Sequence, residues 1–306
     1  SLADGSAAAP SLSNTGDLNT GLLFPAADTV GVSVGGTQRL TVGTSGVTVN
    51  GDLATTTSGT SNFVAGVNAG NSITSGGNYN VTVGDEAGTA LTVGGSNTAV
   101  GFDSLKADTK GSHSVAVGVG ALYAQNFTSA TDAYNVAVGR SAGVAVTTGV
   151  RNTLIGGLSG AAMTTGDRNV AVGATSLDAC TTGQYNVAVG NDALTTLTSG
   201  ARNTAVGLQA GAAITTGSGN SFFGSDSGDA TTTGSNNTAV GYNALTANTT
   251  AGSNCALGAY ALTANTTGTS NCAVGSSLVT NTTGTKNTSV GNNALYYNTT
   301  GYDNNA

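Results

Sequence analysis

The most regular pattern in the chain is a short phrase of alternating apolar and small residues that begins with asparagine. One copy is NVAVGNDAL at residues 186–194, and a related copy starts 17 residues earlier, at Asn169. A glycine follows four residues after each asparagine, and Thr-Thr-Gly or a near variant comes later, as at residues 164–166. The repeat reads N-x-A-V-G-x-x-A-L-x-x-x-T-T-G-x-x, with positions 1 to 17 counted from the asparagine. A fixed period of this kind indicates a repeat architecture.

The residue types of the repeat predict strands. Gly, Thr, Asn and β-branched residues stand where helices favour Ala, Leu, Glu and Lys. Positions 2 to 4 predict one short strand, the glycine permits a turn with positive φ, and the small-then-Leu pair at positions 8 and 9 predicts a second strand. Thr-Thr-Gly predicts the return turn, so one repeat forms one coil. The predicted fold class is all-β, a parallel β-roll or β-solenoid of 17-residue coils, preceded by a short β-rich fibre module.

Stacked coils place equivalent residues above one another, ~4.8 Å apart. Identical asparagine amides can then donate and accept along the axis and satisfy polar groups that a single coil leaves unpaired. We predict a structural ladder in which an Asn-to-Leu change in a middle coil costs about 1–3 kcal/mol. Its members are Asn135, Asn152, Asn169, Asn186, Asn203, Asn220, Asn237, Asn254, Asn271 and Asn287. Looser copies begin upstream at Asn62, Asn80 and Asn97.

The same pattern makes predictions about packing. Side-chain alternation places positions 2 and 4 on one face of the strand, and we predict that this face is buried. Position 3 is mostly Ala, and position 9 alternates between Leu and Gly, as at Leu194 and Gly211. Both columns predict close approach of neighbouring chains. A coil lined by one Val and one Leu encloses little apolar area, so we expect lateral association as an elongated homotrimer.

Spacing divides the chain into three predicted parts. Residues 1–53 form an N-terminal β-rich fibre module, with alternating strands near 30–34 and 39–42 separated by Gly-Gly and Ser-Gly turns. Residues 54–96 form a transition with irregular repeats. Residues 97–306 form the shaft of the solenoid.

Charge and hydropathy exclude two classes of partner. The chain has 8 Lys and Arg against 15 Asp and Glu, for a formal net charge of −7, and the basic residues are spread along its length. That distribution lacks the basic footprint of a nucleic-acid-binding protein. No apolar run approaches the ~18 residues of a membrane span. We therefore expect neither nucleic acid binding nor membrane insertion.

The residues that carry catalytic or metal chemistry elsewhere form no constellation here, so we predict a non-enzymatic protein without cofactor or metal. His113, the only histidine, lacks nearby partners for general base work and is interpreted as structural. Cys255 and Cys272 share position 2 of successive repeats and are interpreted as small core residues, with a disulfide between them as the alternative. The acidic residues at 226–229 and 85–86 lack the glycine-rich nonapeptide of calcium-binding rolls and are interpreted as solvated turns.

Three further features leave alternatives open. A broken basic stripe occupies position 17, and it either contacts an anionic glycan or forms a solubilising edge. Its members are Arg151, Arg168, Arg202 and Lys286. Phe222 and Phe223 replace Ala-Val in one repeat only, which indicates a local bulge or core plug, or else a receptor contact. The N-T-T phrases are turns, or glycosylation acceptors in a eukaryotic secretory path. They begin at Asn248, Asn265, Asn281 and Asn298.

The phrase N-x-A-V-G-x-x-A, repeated between residues 135 and 306, resembles the head repeats of YadA-like trimeric autotransporter adhesins. This resemblance implies a left-handed parallel β-roll and an obligate homotrimer. Residues 5–53 resemble a module of bacteriophage tail fibres that precedes repeats of this kind. The two resemblances together imply a structural phage tail fibre segment that spaces or presents host-recognition surfaces.

The resemblance also implies a location and partners. We expect the protein in the virion, bound to other virion tail or fibre proteins, with a bacterial surface glycan or protein as receptor. The alternative is a bacterial trimeric surface adhesin or extracellular filament that binds host or matrix surfaces. A polysaccharide-degrading tailspike would need carboxylates paired across a groove, and the sequence offers one Glu and isolated Asp residues.

Overall fold

The protein is described by a computed structural model that covers residues 4–49 and 57–306. It divides into two units, Ser1–Thr55 and Thr56–Ala306. Every regular element in the described ranges is a strand. The predicted all-β fold with a parallel β-solenoid is therefore confirmed. The predicted boundary between residues 53 and 54 lies outside the described residues.

The N-terminal unit is one antiparallel sheet in which each strand pairs with the next along the chain. Its strands are β1 (Leu12–Asn14), β2 (Asp17–Ala26), β3 (Thr29–Val34), β4 (Thr37–Gly43) and β5 (Gly46–Val49). Gly35 and Gly36, both with positive φ, turn the chain between β3 and β4, where the sequence predicts a Gly-Gly turn. Leu23 and Ser33 are buried, whereas Val30 and Val34 on β3 are exposed. Antiparallel sheets commonly have one packed and one open face.

The second unit is a solenoid whose coils each contribute a three-residue strand to one 14-stranded parallel sheet. Equivalent residues pair in register, as in Val187↔Thr204, Ala188↔Ala205 and Val189↔Val206. At ~4.8 Å per strand the sheet is ~62 Å long. The strands are β6 (Phe63–Ala65), β7 (Val81–Val83), β8 (Thr98–Val100), β10 (Val115–Val117), β12 (Val136–Val138), β13 (Thr153–Ile155), β14 (Val170–Val172), β15 (Val187–Val189), β16 (Thr204–Val206), β17 (Ser221–Phe223), β18 (Thr238–Val240), β19 (Cys255–Leu257), β20 (Cys272–Val274) and β21 (Thr288–Val290).

The coils vary in length at a few places. β6 and β7, from the segment predicted as an irregular transition, pair in register with each other and with β8. The coil that starts at Ser114 has 21 residues. It takes part in a separate two-stranded parallel pair, β9 (Gly111–Ser112) with β11 (Thr131–Asp132). Changes of coil length are thus absorbed outside the main sheet.

The prediction that positions 2 and 4 face the core is wrong. In β15, Ala188 at position 3 is fully buried, whereas Val187 and Val189 are half-buried, and most strands of the sheet share this pattern. The interior of each coil is filled by positions 1, 3, 8, 9 and 12. A small residue at position 3 leaves room for leucine at position 9. The Ala column therefore fills the chain's own coil, and the interpretation that it contacts a neighbouring chain is also wrong.

The predicted second strand is absent from the described coils. Positions 5 to 12 form two consecutive turns, closed in one coil by Ala193 N to Gly190 O at 3.4 Å and by Leu197 N to Leu194 O at 3.1 Å. Leu194 has a φ of +52°, which directs its side chain into the coil, where it is fully buried. A left-handed conformation is costly for leucine, and burial of the side chain offsets that cost.

The alternation of Leu and Gly at position 9 follows the size of the residue at position 3 of the same coil or of the next one. Gly143 and Gly211 stand one coil before a large residue, and a Cβ on them would lie 2.7 and 2.9 Å from its side chain. Leu154 and Phe222 replace the usual alanine at position 3 and are fully buried. A Cβ on Gly228 would lie 2.6–2.7 Å from three ring carbons of Phe222, and one on Gly160 would lie 2.8 Å from a methyl carbon of Leu154. Phe222 is thus a core plug, and the glycine column makes room for it inside the chain. The prediction that neighbouring chains approach at these glycines is wrong.

Candidate binding surface and the ladders that position it

The position 1 asparagines form a buried ladder. Asn186 Oδ1 accepts two hydrogen bonds from Asn203, one from the backbone N–H at 2.9 Å and one from Nδ2 at 3.2 Å. Asn186 Nδ2 donates to the carbonyl of Gly200 at 2.9 Å. The same bond to a backbone N–H one coil on recurs from Asn62 to Ser114 and again from Asn135 to Asn304. Each side chain thus satisfies two backbone groups at the corner, where the chain leaves the sheet direction.

A second asparagine ladder, which the sequence reasoning missed, occupies position 12. The side chains of Asn248, Asn265 and Asn281 are fully buried. Nδ2 of Asn265 donates to Oδ1 of Asn248 at 3.2 Å, and Nδ2 of Asn281 donates to Oδ1 of Asn265 at 2.9 Å. The interpretation of these N-T-T phrases as simple turns is incomplete, and burial excludes these three side chains as glycosylation acceptors. The sequence did hold a signal for this burial. The same position of the upstream repeats carries apolar residues: Val146, Met163, Cys180, Leu197 and Ile214.

A buried polar network replaces the ladder at Ser114. The hydroxyl of Ser114 accepts Nε2 of Gln125 at 3.0 Å, and Oε1 of Gln125 accepts Nδ2 of Asn135 at 2.8 Å. Nε2 of Gln125 also donates to the carboxylate of Asp108 at 2.6 Å. Burial raises the pKa of Asp108, and the hydrogen bonds from Gln125 and from the N–H of Gly111 oppose that rise. The ladder is therefore bridged across the long coil.

The outward face of the 14-stranded sheet is apolar and only partly covered within one chain. Positions 2 and 4 present mostly Val and Thr along the sheet, with Ile, Leu, Phe, Cys, Ala or Ser in single coils. Ile155, Phe223 and Leu257 at position 4 are 38%, 41% and 43% exposed. Parallel sheets are ordinarily covered on both faces. Long exposed apolar surfaces of this kind are typical of interfaces in other proteins.

The residues at position 17, directly before the ladder asparagines, form an exposed column. Their backbones have the left-handed conformation, with positive φ. Backbone bonds fix its register, as in Arg168 N to Val150 O at 3.0 Å and Tyr185 N to Asp167 O at 3.1 Å. Six consecutive coils, ~24 Å of the axis, hold only aromatic or basic residues here. We call this set the Arg–Tyr column: His113, Tyr134, Arg151, Arg168, Tyr185 and Arg202.

The side chains of the Arg–Tyr column stack on one another. The guanidinium carbons of Arg168 and Arg202 lie 5.3 and 5.7 Å from the ring centroid of Tyr185, one from each neighbouring coil. The rings of His113 and Tyr134 are stacked with centroids 5.0 Å apart. Cation–π and ring stacking hold these side chains in place at the surface. The structure thus brings three of the four predicted stripe residues together with aromatic residues that the sequence reasoning did not include.

Lys286 lies apart from the Arg–Tyr column. Between it and Arg202 the same column holds uncharged residues, Gly219, Asn236, Ser253 and Ser270. At ~4.8 Å per coil this gap is ~24 Å. The predicted stripe therefore consists of one compact group and one isolated lysine.

The remaining candidate residues show no shared site. His113 Nδ1 lies 3.2 Å from Asp132 Oδ1 at the exposed surface. Cys255 and Cys272 pair in register on adjacent strands, but they are half-buried and both thiols are free, so their interpretation as core residues is wrong. Burial raises the pKa of the Cys180 thiol to about 11. Residues 4–49 and 57–306 hold no group of three or more His, Cys, Asp or Glu suited to a metal ion, and no helix long and apolar enough to cross a membrane.

Comparisons with known proteins add no family. No protein-family model, no curated protein and no solved structure matches the chain. The resemblance of the repeats to adhesin heads and of residues 5–53 to tail fibres stays a prediction.

Proposed function

We propose that the chain is a non-enzymatic structural fibre, a segment of a phage tail fibre in the virion that spaces or presents host-recognition surfaces. The observation that carries the proposal is the unbroken in-register stacking of 14 strands, with asparagine ladders inside every coil from Asn135 onward. Such stacking gives a stiff rod in which each coil is covered by its neighbours. The interior is filled by small, apolar and amide side chains, which suits a load-bearing element.

Self-association as a homotrimer is part of this proposal. The outward sheet face supports it, because its apolar residues are left partly exposed in one chain. In the N-terminal unit, Val34 and Val42 are 51% and 43% exposed on a sheet of its own. Association of three copies covers these faces in each unit. The proposed interface is therefore the face of positions 2 and 4, in place of the Ala column.

Light scattering on the purified chain tests the association. We expect a mass three times the 29.3 kDa of one chain. Val172→Glu combined with Val189→Glu places two charges on the outward face and lowers the mass. The matched control, Thr182→Glu with Ser199→Glu, adds the same charges to exposed position 14 of the same two coils and leaves the mass unchanged. A wild-type mass of one chain, or two variants that behave alike, contradicts the proposed interface.

Location tests the fibre role itself. Antibodies against the solenoid are expected to label the tails of purified virions in electron micrographs. Labelling of bacterial surfaces in uninfected cultures, with unlabelled virions, supports the adhesin or extracellular filament instead. Release of oligosaccharides from host capsule by the purified protein overturns the non-enzymatic assignment.

A further inference from the structure

We infer that the Arg–Tyr column binds a linear polysaccharide that carries carboxylate groups, lying along the solenoid axis. This inference goes beyond the spacing role, and its test is independent of where the protein is located. Three observations carry it: unused arginine donors, exposed rings fixed beside them, and a spacing that repeats along a straight line.

The arginines offer hydrogen-bond donors with no acceptor in the protein. Within residues 4–49 and 57–306, the side chains of Arg151, Arg168 and Arg202 make no ion pair and no hydrogen bond to the protein. Each guanidinium has five N–H donors in a planar fork that matches a carboxylate. Stacking on Tyr185 holds two of the forks in place, so less side-chain entropy is lost when an acid binds.

Exposed aromatic rings complete the surface. Tyr134 and Tyr185 are 47% and 45% exposed, and both project from the same column as the arginines. Tyrosine provides a large, rigid contact area at low entropic cost, with an apolar ring and a polar hydroxyl. Sugar rings have the same mixed character, with apolar C–H faces and polar edges. Aromatic and basic residues together therefore fit an acidic sugar better than a simple inorganic anion.

The geometry of the column selects a linear ligand. Successive column residues are ~4.8 Å apart, which is close to the length of one pyranose unit, and the strands that follow the column pair in unbroken register. The neighbouring positions 2 and 14 are uncharged from residue 148 to residue 204. The carboxylate of Asp167, at position 16 beside the column, accepts the backbone N–H of Val150 at 2.8 Å. Between residues 148 and 204, three arginines thus stand beside one carboxylate on a chain of net charge −7.

Nucleic acid fits this surface less well. A nucleic acid strand carries one charge per ~3.4 Å and is held by broad basic grooves. The arginines here occupy the first, second and fourth of four successive coils, and the rest of the protein is acidic. A uronic acid polymer carries one charge per sugar, which matches this lower density.

Calorimetric titration with polygalacturonate oligosaccharides tests the inference, with neutral dextran and single-stranded DNA as comparison ligands. We expect the wild type to bind polygalacturonate, to bind it less tightly as salt is added, and to bind dextran and DNA at least about tenfold more weakly. Arg168→Ser with Arg202→Ser is expected to weaken binding at least about tenfold. Serine already occupies this column at Ser253 and Ser270, with φ values of +61° and +58°, so the coil accommodates it.

A matched variant removes the same charge elsewhere. Arg140→Ala with Lys286→Ser lowers the net charge by two units outside the Arg–Tyr column and is expected to change affinity less than about twofold. Tyr185→Phe should keep most of the affinity, whereas Tyr185→Ser should lose it, because stacking needs the ring. Absence of polygalacturonate binding overturns the inference. Equal or tighter binding of DNA, equal losses in the two double variants, or a changed solution mass in the column variant overturns it as well.

Discussion

Replacement of one ladder asparagine isolates what the ladder contributes. Asn186→Ala removes the acceptor of the Asn203 N–H, at 2.9 Å, and the donor to the Gly200 carbonyl, also at 2.9 Å. Neither backbone group has another hydrogen-bond partner, and both Asn203 and Gly200 are buried. A buried group left unpaired costs about 1–3 kcal/mol, so two such groups cost about 2–6 kcal/mol. This exceeds the sequence-based value because each side chain serves backbone groups as well as the next amide.

The same coil offers a control. Asn191 is exposed at position 6, where the coils beginning at Asn169 and Asn254 carry Ala174 and Ala259. Asn191→Ala is therefore expected to change the free energy of unfolding by less than about 0.5 kcal/mol. The measurement is urea denaturation of both variants, with hydrogen exchange to locate the effect.

Hydrogen exchange gives the sharper result. In Asn186→Ala the Asn203 amide loses its acceptor and should exchange much faster, whereas the Val187 amide keeps its bond to the Asn203 carbonyl at 2.8 Å. Equal stability losses in Asn186→Ala and Asn191→Ala, with unchanged exchange at Asn203, would refute the argument that the ladder satisfies corner groups.

Two further predictions follow from the core. Gly228→Ala should destabilise the chain by about 1–3 kcal/mol, because the added Cβ would meet the Phe222 ring. The same change should cost less in a Phe222→Ala background. Additive free energies of unfolding in a double-mutant cycle would contradict this. Burial raises the pKa of Asp108, so the folded state binds a proton more tightly than the unfolded state. This contribution to stability is full below the ordinary pKa of about 3.8 and is lost as pH rises through the folded-state pKa. The denaturation midpoint of Asp108→Asn should therefore fall less between about pH 4 and 7 than that of the wild type, and parallel profiles contradict it.

The period of the repeat determined most of the fold. Identical residues 17 apart can all be satisfied only if they stack, so the parallel sheet, its register and the position of Asn186 in the interior follow from spacing alone. The inward side of the strand did not follow. Alternation predicts that Val187 and Val189 share a face, but it does not say which face is buried. The preference of valine for the interior favoured the wrong side of the strand, because the interior of the coil has room for alanine here.

The turns were less predictable than the strand. The small-then-Leu pair at positions 8 and 9 predicts a strand because it is a short apolar run between two turn signals. In the solenoid, the N–H of Leu194 bonds to Ala210 O in the next coil, which satisfies a left-handed residue without strand geometry. Comparison of position 9 among the repeats, without position 3, suggested that neighbouring chains approach at Gly228. A glycine is needed at residue 228 because the ring of Phe222, six residues earlier, occupies the space that a larger side chain would fill.

Interior columns are constrained by packing against the adjacent coils, whereas exterior columns are not. This difference determines which repeated residues can indicate function. An interior residue must match the coil above and below it, as Asn186 matches Asn169 and Asn203, so repetition there indicates stability. Position 17 is exposed in every coil, and its backbone accepts Ser, Gly, Asn, Arg or Tyr with the same positive φ. Nothing in the fold requires aromatic and basic residues to alternate there over six successive coils. These side chains contact one another across coils, but the buried core does not depend on them. This independence from the core is the reason why we infer a ligand site at the Arg–Tyr column.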